Sequence, residues 1–214
     1  MDPLTSGKYP EIMREKVGER LPEFTEEESK LLAGSFDFLG LNYYTTNYVS
    51  LVEPAPDTFP SYETDPGVEY STERKGIPTA SNWLFVCPKG FKELLLYVKE
   101  KYNNPLIYVT ENGRGNDVNE HAHSLQDSQL DTYRIDYYYR HLYYLLSAMS
   151  EGVRVKGYFA WSLFDNFEWK NGYLVGFGLY HVNRSDGSLD RNPKLSAKWF
   201  ADFLQKPQPK PNLN

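Results

Sequence analysis

The stretch Leu106-Ile107-Tyr108-Val109-Thr110-Glu111-Asn112-Gly113 decides the fold. Its apolar half is short, rich in β-formers and apolar on both faces, the pattern of a buried parallel strand. Pro105 stands at its start, where a missing N–H costs little, and Asn112-Gly113 reads as the turn that ends it. Glu111 is thereby placed at the carboxyl end of a buried strand, the position at which open α/β sheets and barrels keep their chemistry. A carboxylate there is costly unless it is paired or used. The residues alone leave two readings open, a working carboxylate and a salt-bridged structural one.

Working outward, residues 36–44 (Phe-Asp-Phe-Leu-Gly-Leu-Asn-Tyr-Tyr) and 153–163 read as two further buried strands. Residues 88–102 form an amphipathic helix with Phe91, Leu94, Leu95, Val98 and Tyr102 on one face and Pro88 in the first turn. Residues 130–149 form a long helix with Tyr138, Leu142, Leu145 and Met149 inward. Pro193 opens a last helix that turns Leu195, Trp199 and Phe203 inward. Towards the amino terminus, residues 1–9 look irregular, and residues 10–21 suggest a short helix with Ile12, Met13 and Val17 facing the core. Thr25-Glu26-Glu27-Glu28 is a capping box that starts a helix running to about Ala33, closed by Gly34. Residues 45–82 show no period and read as a long loop. A short hairpin is expected from residues 177–182 and 188–190 around Ser185-Asp186-Gly187, and the tail 206–214 should fray. Strands alternating with helices imply a parallel α/β sheet in one domain, residues 1–214. Three such strands cannot cover themselves.

Composition narrows the function. The net charge of −6, with no basic run, argues against nucleic acid and anionic membrane surfaces as partners. No apolar run reaches membrane-spanning length, and the first residues carry no signal-peptide pattern. The single Cys87 excludes an internal disulfide. Asn183-Arg184-Ser185 matches a glycosylation acceptor, a triplet common by chance, so the compartment stays unknown.

The strand ends collect Asn42 and Tyr44, Glu111, and Trp161, and the next loop adds Glu168, Trp169 and Phe177. A glycine-rich phosphate cradle, a Cys/His metal cluster and a Ser/His/Asp order are missing, so neither cofactor nor metal is expected. His121 and His123 read as a solvated loop, His181 as structural, and the tyrosines between Tyr133 and Tyr144 as helix packing. Carboxylates, amide and phenol groups and flat aromatic faces together suit a sugar, whose hydroxyls need polar contacts and whose C–H faces need apolar walls.

Here Gly40-Leu41-Asn42-Tyr43-Tyr44, Thr110-Glu111-Asn112-Gly113 and Trp161-Ser162-Leu163-Phe164-Asp165-Asn166-Phe167-Glu168-Trp169 occur in order, and together they resemble glycoside hydrolase family 1, of the plant β-glucosidase type. The resemblance runs from about Pro10 to Phe203. It implies a (β/α)8 barrel and cleavage with retention. It implies Glu111 as nucleophile, Tyr44 bonded to that carboxylate and Asn42 lining the same subsite. Glu168 and Trp169 would bind glucose hydroxyls, Trp161 would floor the ring, and Trp83 and Phe177 would border the site. A free rather than a phosphorylated glucose-type ring is implied as well.

One departure matters. Retaining glycosidases use two carboxylates about 5–5.5 Å apart, and the family's acid/base sits in an Asn-Glu-Pro motif that this sequence does not contain. Asn119-Glu120 runs into His121, and Glu53-Pro54 lacks the Asn. The resemblance therefore makes the chain the carboxyl-terminal part of such a barrel, about three strands of eight, with the amino-terminal portion as its expected partner. A truncated product, a partial gene model and one piece of a split enzyme all fit. The expected activity is hydrolysis of β-glucosides, inactive in this chain alone. A thioglucosidase-type relative and a non-catalytic sugar-binding fragment are the alternatives.

Overall fold

The computed structural model describes residues 1–53, 55, 57–71, 79–81, 84–117 and 129–205. At its centre is a three-stranded parallel sheet in which Ile107–Asn112 lies between Leu39–Tyr43 and Val155–Ala160. Each crossover carries a helix, Pro88–Lys101 and then Thr132–Ser150, as parallel pairing requires. A last helix, Leu195–Gln205, follows the third strand.

Alternation along the strands sets what is buried. Ile107 and Val109 point at the helices and are wholly buried with Phe91, Leu95, Val98, Leu145, Ala148, Val153 and Val155. Burying each such aliphatic side chain contributes about 1.5–3 kcal/mol. A second cluster joins Val86, Tyr137, Tyr138, Leu179 and Ala197, with Trp199 and Phe200 against it. The opposite sheet face is different. Gly40, Asn42 and Phe159 are exposed. The expectation of strands buried on both faces is thus corrected: among the described residues the helices cover one face, and nothing covers the other.

Other expectations need correction for local reasons. Residues 1–9 are not irregular, because Asp2–Ser6 is helical and Gly7 ends it at φ +72°. Tertiary contacts hold that turn, with Ser29 Oγ donating to the Gly7 carbonyl and Tyr102 Oη to Asp2, at 2.8 and 2.9 Å. The helix Glu11–Val17 has no buried residue, and Ile12 is 58% exposed, so its apolar positions do not face the core as expected. Within 45–82, Tyr48–Leu51 pairs antiparallel with Val68–Ser71, and Thr79–Ser81 with Leu84–Phe85. The first pair is largely exposed on both faces, which is why its residues show no alternation. The hairpin forms one step later than expected, from Tyr180–Val182 and Arg191–Pro193. Met149 and Leu195 face outward, because the buried stripes run through Arg134, Tyr137, His141, Leu145 and Ala148 and through Ser196 and Ala197. The capping box is as expected: Glu28 N donates to Thr25 Oγ1 and Thr25 N to Glu28 Oε2.

Candidate active site

The sheet register brings the strand ends together. A shift between Leu41 and Asn42 sets Asn42 opposite Glu111 and Tyr43 opposite Asn112. Tyr44, one residue beyond the strand, reaches back, and its hydroxyl donates to Glu111 Oε2 at 2.5 Å. Burial holds the Tyr44 phenol far above its usual range, and the bond to Glu111 and the charges of Glu111 and Glu168 push it the same way. It therefore remains a donor. Beside it, Thr110 Oγ1 donates to Asn42 Oδ1 at 2.6 Å. Among the described residues Glu111 makes no ion pair, so the salt-bridged reading of this carboxylate finds no partner.

The third strand delivers the rest. Trp161 N donates to the Asn112 carbonyl at 2.8 Å, and the backbones touch at Gly113, where a Cβ would lie 1.8 Å from Trp161 O. Glycine is required there by contact, whatever its turn propensity. The Trp161–Ser162 peptide is cis. The Trp161 indole donates to Glu168 Oε1 at 3.1 Å, and Glu168 is 9% exposed. Asp165 ties this loop down: its Oδ1 accepts from Gly178 N and from Lys194 Nζ, both at 2.8 Å, and His181 Nδ1 lies 3.3 Å from Oδ2. Burial lowers Lys194 to about 8, helped by Arg134 and opposed by Asp165. Phe177 is buried, with its ring edge-on to Tyr44 at 5.9 Å.

The expected residues thus divide. Glu111, Tyr44, Asn42, Trp161, Glu168 and Phe177 form one cluster at the strand ends. Trp169 stands apart, 84% exposed at the start of a short 3-10 turn. Trp83, Asn119, Glu120, His121 and His123 lie outside the described residues, as does the tail 206–214. Among the described residues no group of three His, Cys, Asp or Glu could hold a metal ion, and no helix is long and apolar enough to cross a membrane.

Two buried groups escaped the sequence reading. Arg134 donates through Nε to Asp131 at 2.7 Å and through its terminal nitrogens to the Phe177 and Gly176 carbonyls at 2.8 and 3.0 Å. Asp131 also accepts from Ser196 N at 2.8 Å, fastening the last helix to the same point. Asn112, wholly buried, bonds to Tyr43, Tyr137 and Tyr158. For Arg134 the available signal was a polar residue in phase with an apolar stripe; Asn112 breaks the alternation of its strand and gave none.

Residues 1–208 match the family model described as Glycosyl hydrolase family 1. An isoflavonoid 7-O-β-apiosyl-glucoside β-glycosidase of Dalbergia nigrescens is 52% identical over 212 residues, covering 97% of this chain and 38% of that protein. Beta-glucosidase 12 of Oryza sativa subsp. indica is 53% identical over 210 residues, covering 96% of this chain and 41% of that protein. The crystal structure of rice Os3BGlu6 β-glucosidase superposes with a TM-score of 0.88 at 41% identity, over 93% of this chain and 43% of that one. A mutant of the same rice enzyme has been solved in a covalent complex with Glc. The chain spans about two fifths of the length of these relatives, and its parallel sheet with crossover helices is part of their (β/α)8 barrel. The chain belongs to glycosyl hydrolase family 1.

Proposed function

We propose that this chain carries the nucleophile half of a retaining β-glucosidase acting on O-β-glucosides of small aglycones. The observation that supports this most is the 2.5 Å bond from Tyr44 to a Glu111 that has no ion-pair partner among the described residues. With one oxygen held by a single donor, the carboxylate has its other oxygen free for attack. Glu111 attacks the anomeric carbon, the glycosidic C–O bond breaks, and the departing oxygen takes a proton from a general acid. Water then attacks the glucosyl ester, gives its proton to the same group, and releases Glu111 as carboxylate. Tyr44 orients the nucleophile throughout.

Glu168 takes sugar hydroxyls as a charged acceptor, steadied by Trp161, whose ring floors the site. Asn42 lines the same subsite, and Phe177 backs Tyr44. Trp169 adds an indole donor and a wall to the sugar, and Trp83 borders the aglycone. The acid/base belongs to an Asn-Glu-Pro segment that this sequence lacks, on strands that would also cover the open face of the sheet. The partner of this chain is accordingly the amino-terminal portion of the same barrel.

The test is an aryl β-glucoside assay on the chain alone and with that complementary segment. The chain alone should give no multiple turnover, since losing general-acid catalysis costs about 10²–10⁴-fold before the missing strands are counted. The joined pieces should turn over, and Glu111→Gln should abolish it. Turnover by the isolated chain would refute the assignment.

A further inference from the structure

The buried polar cluster behind the strand ends has a direction. Asn112 is wholly buried and uses both its donors and its oxygen: its amide nitrogen donates to the Tyr43 carbonyl at 2.7 Å and to Tyr137 Oη at 3.0 Å, while its oxygen accepts from Tyr158 Oη at 2.6 Å. The carbonyl of Tyr43 can only accept, so the amide has one possible orientation. Tyr137 Oη, having accepted from Asn112, donates to the Tyr44 carbonyl at 3.1 Å. Its ring is clamped by a 3.8 Å stack on His141 in the same helix. The chain of bonds starts at the residue after Glu111 and ends on the backbone of the residue that bonds Glu111.

We propose that Tyr137 is a positioning residue: through the relay Asn112–Tyr137–Tyr44 it fixes the Tyr44 backbone so that the phenol meets the Glu111 carboxylate. This rests on reading Tyr44 and Glu111 as the working pair. Tyr44 lies beyond the end of its strand, so the sheet ladder does not fix its carbonyl. The tie from Tyr137 is to the Tyr44 backbone and leaves the phenol free to point at Glu111. Burial holds the Tyr137 and Tyr158 hydroxyls protonated, so both remain donors. A buried network with every member satisfied holds one geometry, whereas removing one member frees its neighbours.

The relay can be read in the 214-residue chain without any turnover. The Tyr44 hydroxyl proton, in a 2.5 Å bond to a carboxylate, should give a far-downfield NMR resonance that Tyr44→Phe removes. Tyr137→Phe deletes one oxygen and keeps the stacked ring; it should move that resonance upfield and speed its exchange with water about tenfold, the factor one ordinary hydrogen bond is worth. Tyr158→Phe, one bond further away, should act in the same direction less strongly, and it decides the matter if Tyr137→Phe does not fold. Tyr138→Phe is the control. It deletes an equally buried hydroxyl on the same helix, one bonded only to the Trp161 carbonyl among the described residues, and should leave the resonance in place.

An unmoved resonance in both Tyr137→Phe and Tyr158→Phe, or an equal movement in Tyr138→Phe, would overturn the relay. A resonance that is absent from the unaltered chain, or that survives Tyr44→Phe, would overturn it as well. The chemical role of Glu111 is read separately, by covalent labelling, so failure of the relay and failure of that role are distinguishable.

Discussion

Lowering the pH should destabilise this fold through one side chain, His141. Its ring is wholly buried between Tyr137, Tyr43 and Phe91. Nδ1 lies 2.7 Å from the Tyr137 carbonyl, which can only accept, so Nδ1 carries the proton. Nε2 is buried without a partner among the described residues. A proton added there would place an uncompensated cation in the core. Burial accordingly lowers the folded-state pKa from 6.5 to about 4, against a smaller opposing effect of the bond to Tyr137.

The sign follows from which state binds the proton more readily. Below about 6.5 the unfolded chain protonates His141 and the folded chain does not. The stabilisation is complete above that pH and falls away as pH drops towards about 4. The gap corresponds to a loss of roughly 3 kcal/mol over that window. Denaturant unfolding of the chain and of His141→Phe at pH 7, 6, 5 and 4.5 isolates it, since every other titrating group is common to both. The difference between the two should narrow steadily with acidification and reverse in favour of the variant if its packing is equal. Parallel loss of stability in both proteins would refute the argument.

Further outcomes are expected elsewhere. Asp131→Ala removes a carboxylate that holds both Arg134 and the start of the last helix, in a site where both side chains of the ion pair are almost wholly buried; it should cost about 3–5 kcal/mol, read as a shift in the denaturant midpoint. In a completed barrel, an aryl β-glucoside 6-phosphate should be hydrolysed far more slowly than the plain glucoside, because a dianion would meet the Glu168 carboxylate where water is largely excluded. Equal rates would contradict the placing of Glu168 against the sugar hydroxyls.

The parts of this molecule that were legible in its sequence are those in which one physical pattern dominates. The strand Ile107–Asn112 and the helix Pro88–Lys101 each bury one continuous apolar set, and the chain shows it. The pairs Tyr48–Leu51 and Val68–Ser71 were hidden because neither face is buried. Met149 and Leu195 were misplaced because Arg134, His141 and Ser196 hold inward positions, and a search for apolar periodicity passes over them. At the site, the grouping of Glu111, Tyr44 and Trp161 follows from their place at strand ends, and Glu168 joins them from the loop after Trp161. Asn112 looked like a turn because Asn-Gly usually is one; here three buried partners keep it in the strand. Trp169 is the reverse case, a residue marked by its motif that lies at the surface.

The central claim is that Glu111 forms the bond to the sugar. A fluorinated glucoside that traps the glycosyl intermediate, reacted with the barrel completed by its amino-terminal segment and digested for mass spectrometry, tests it most directly. The account predicts one added fluoroglucosyl mass on the peptide containing Thr110-Glu111-Asn112, and none in Glu111→Ala. The same mass on a peptide carrying Glu168 or Glu120 instead would contradict it.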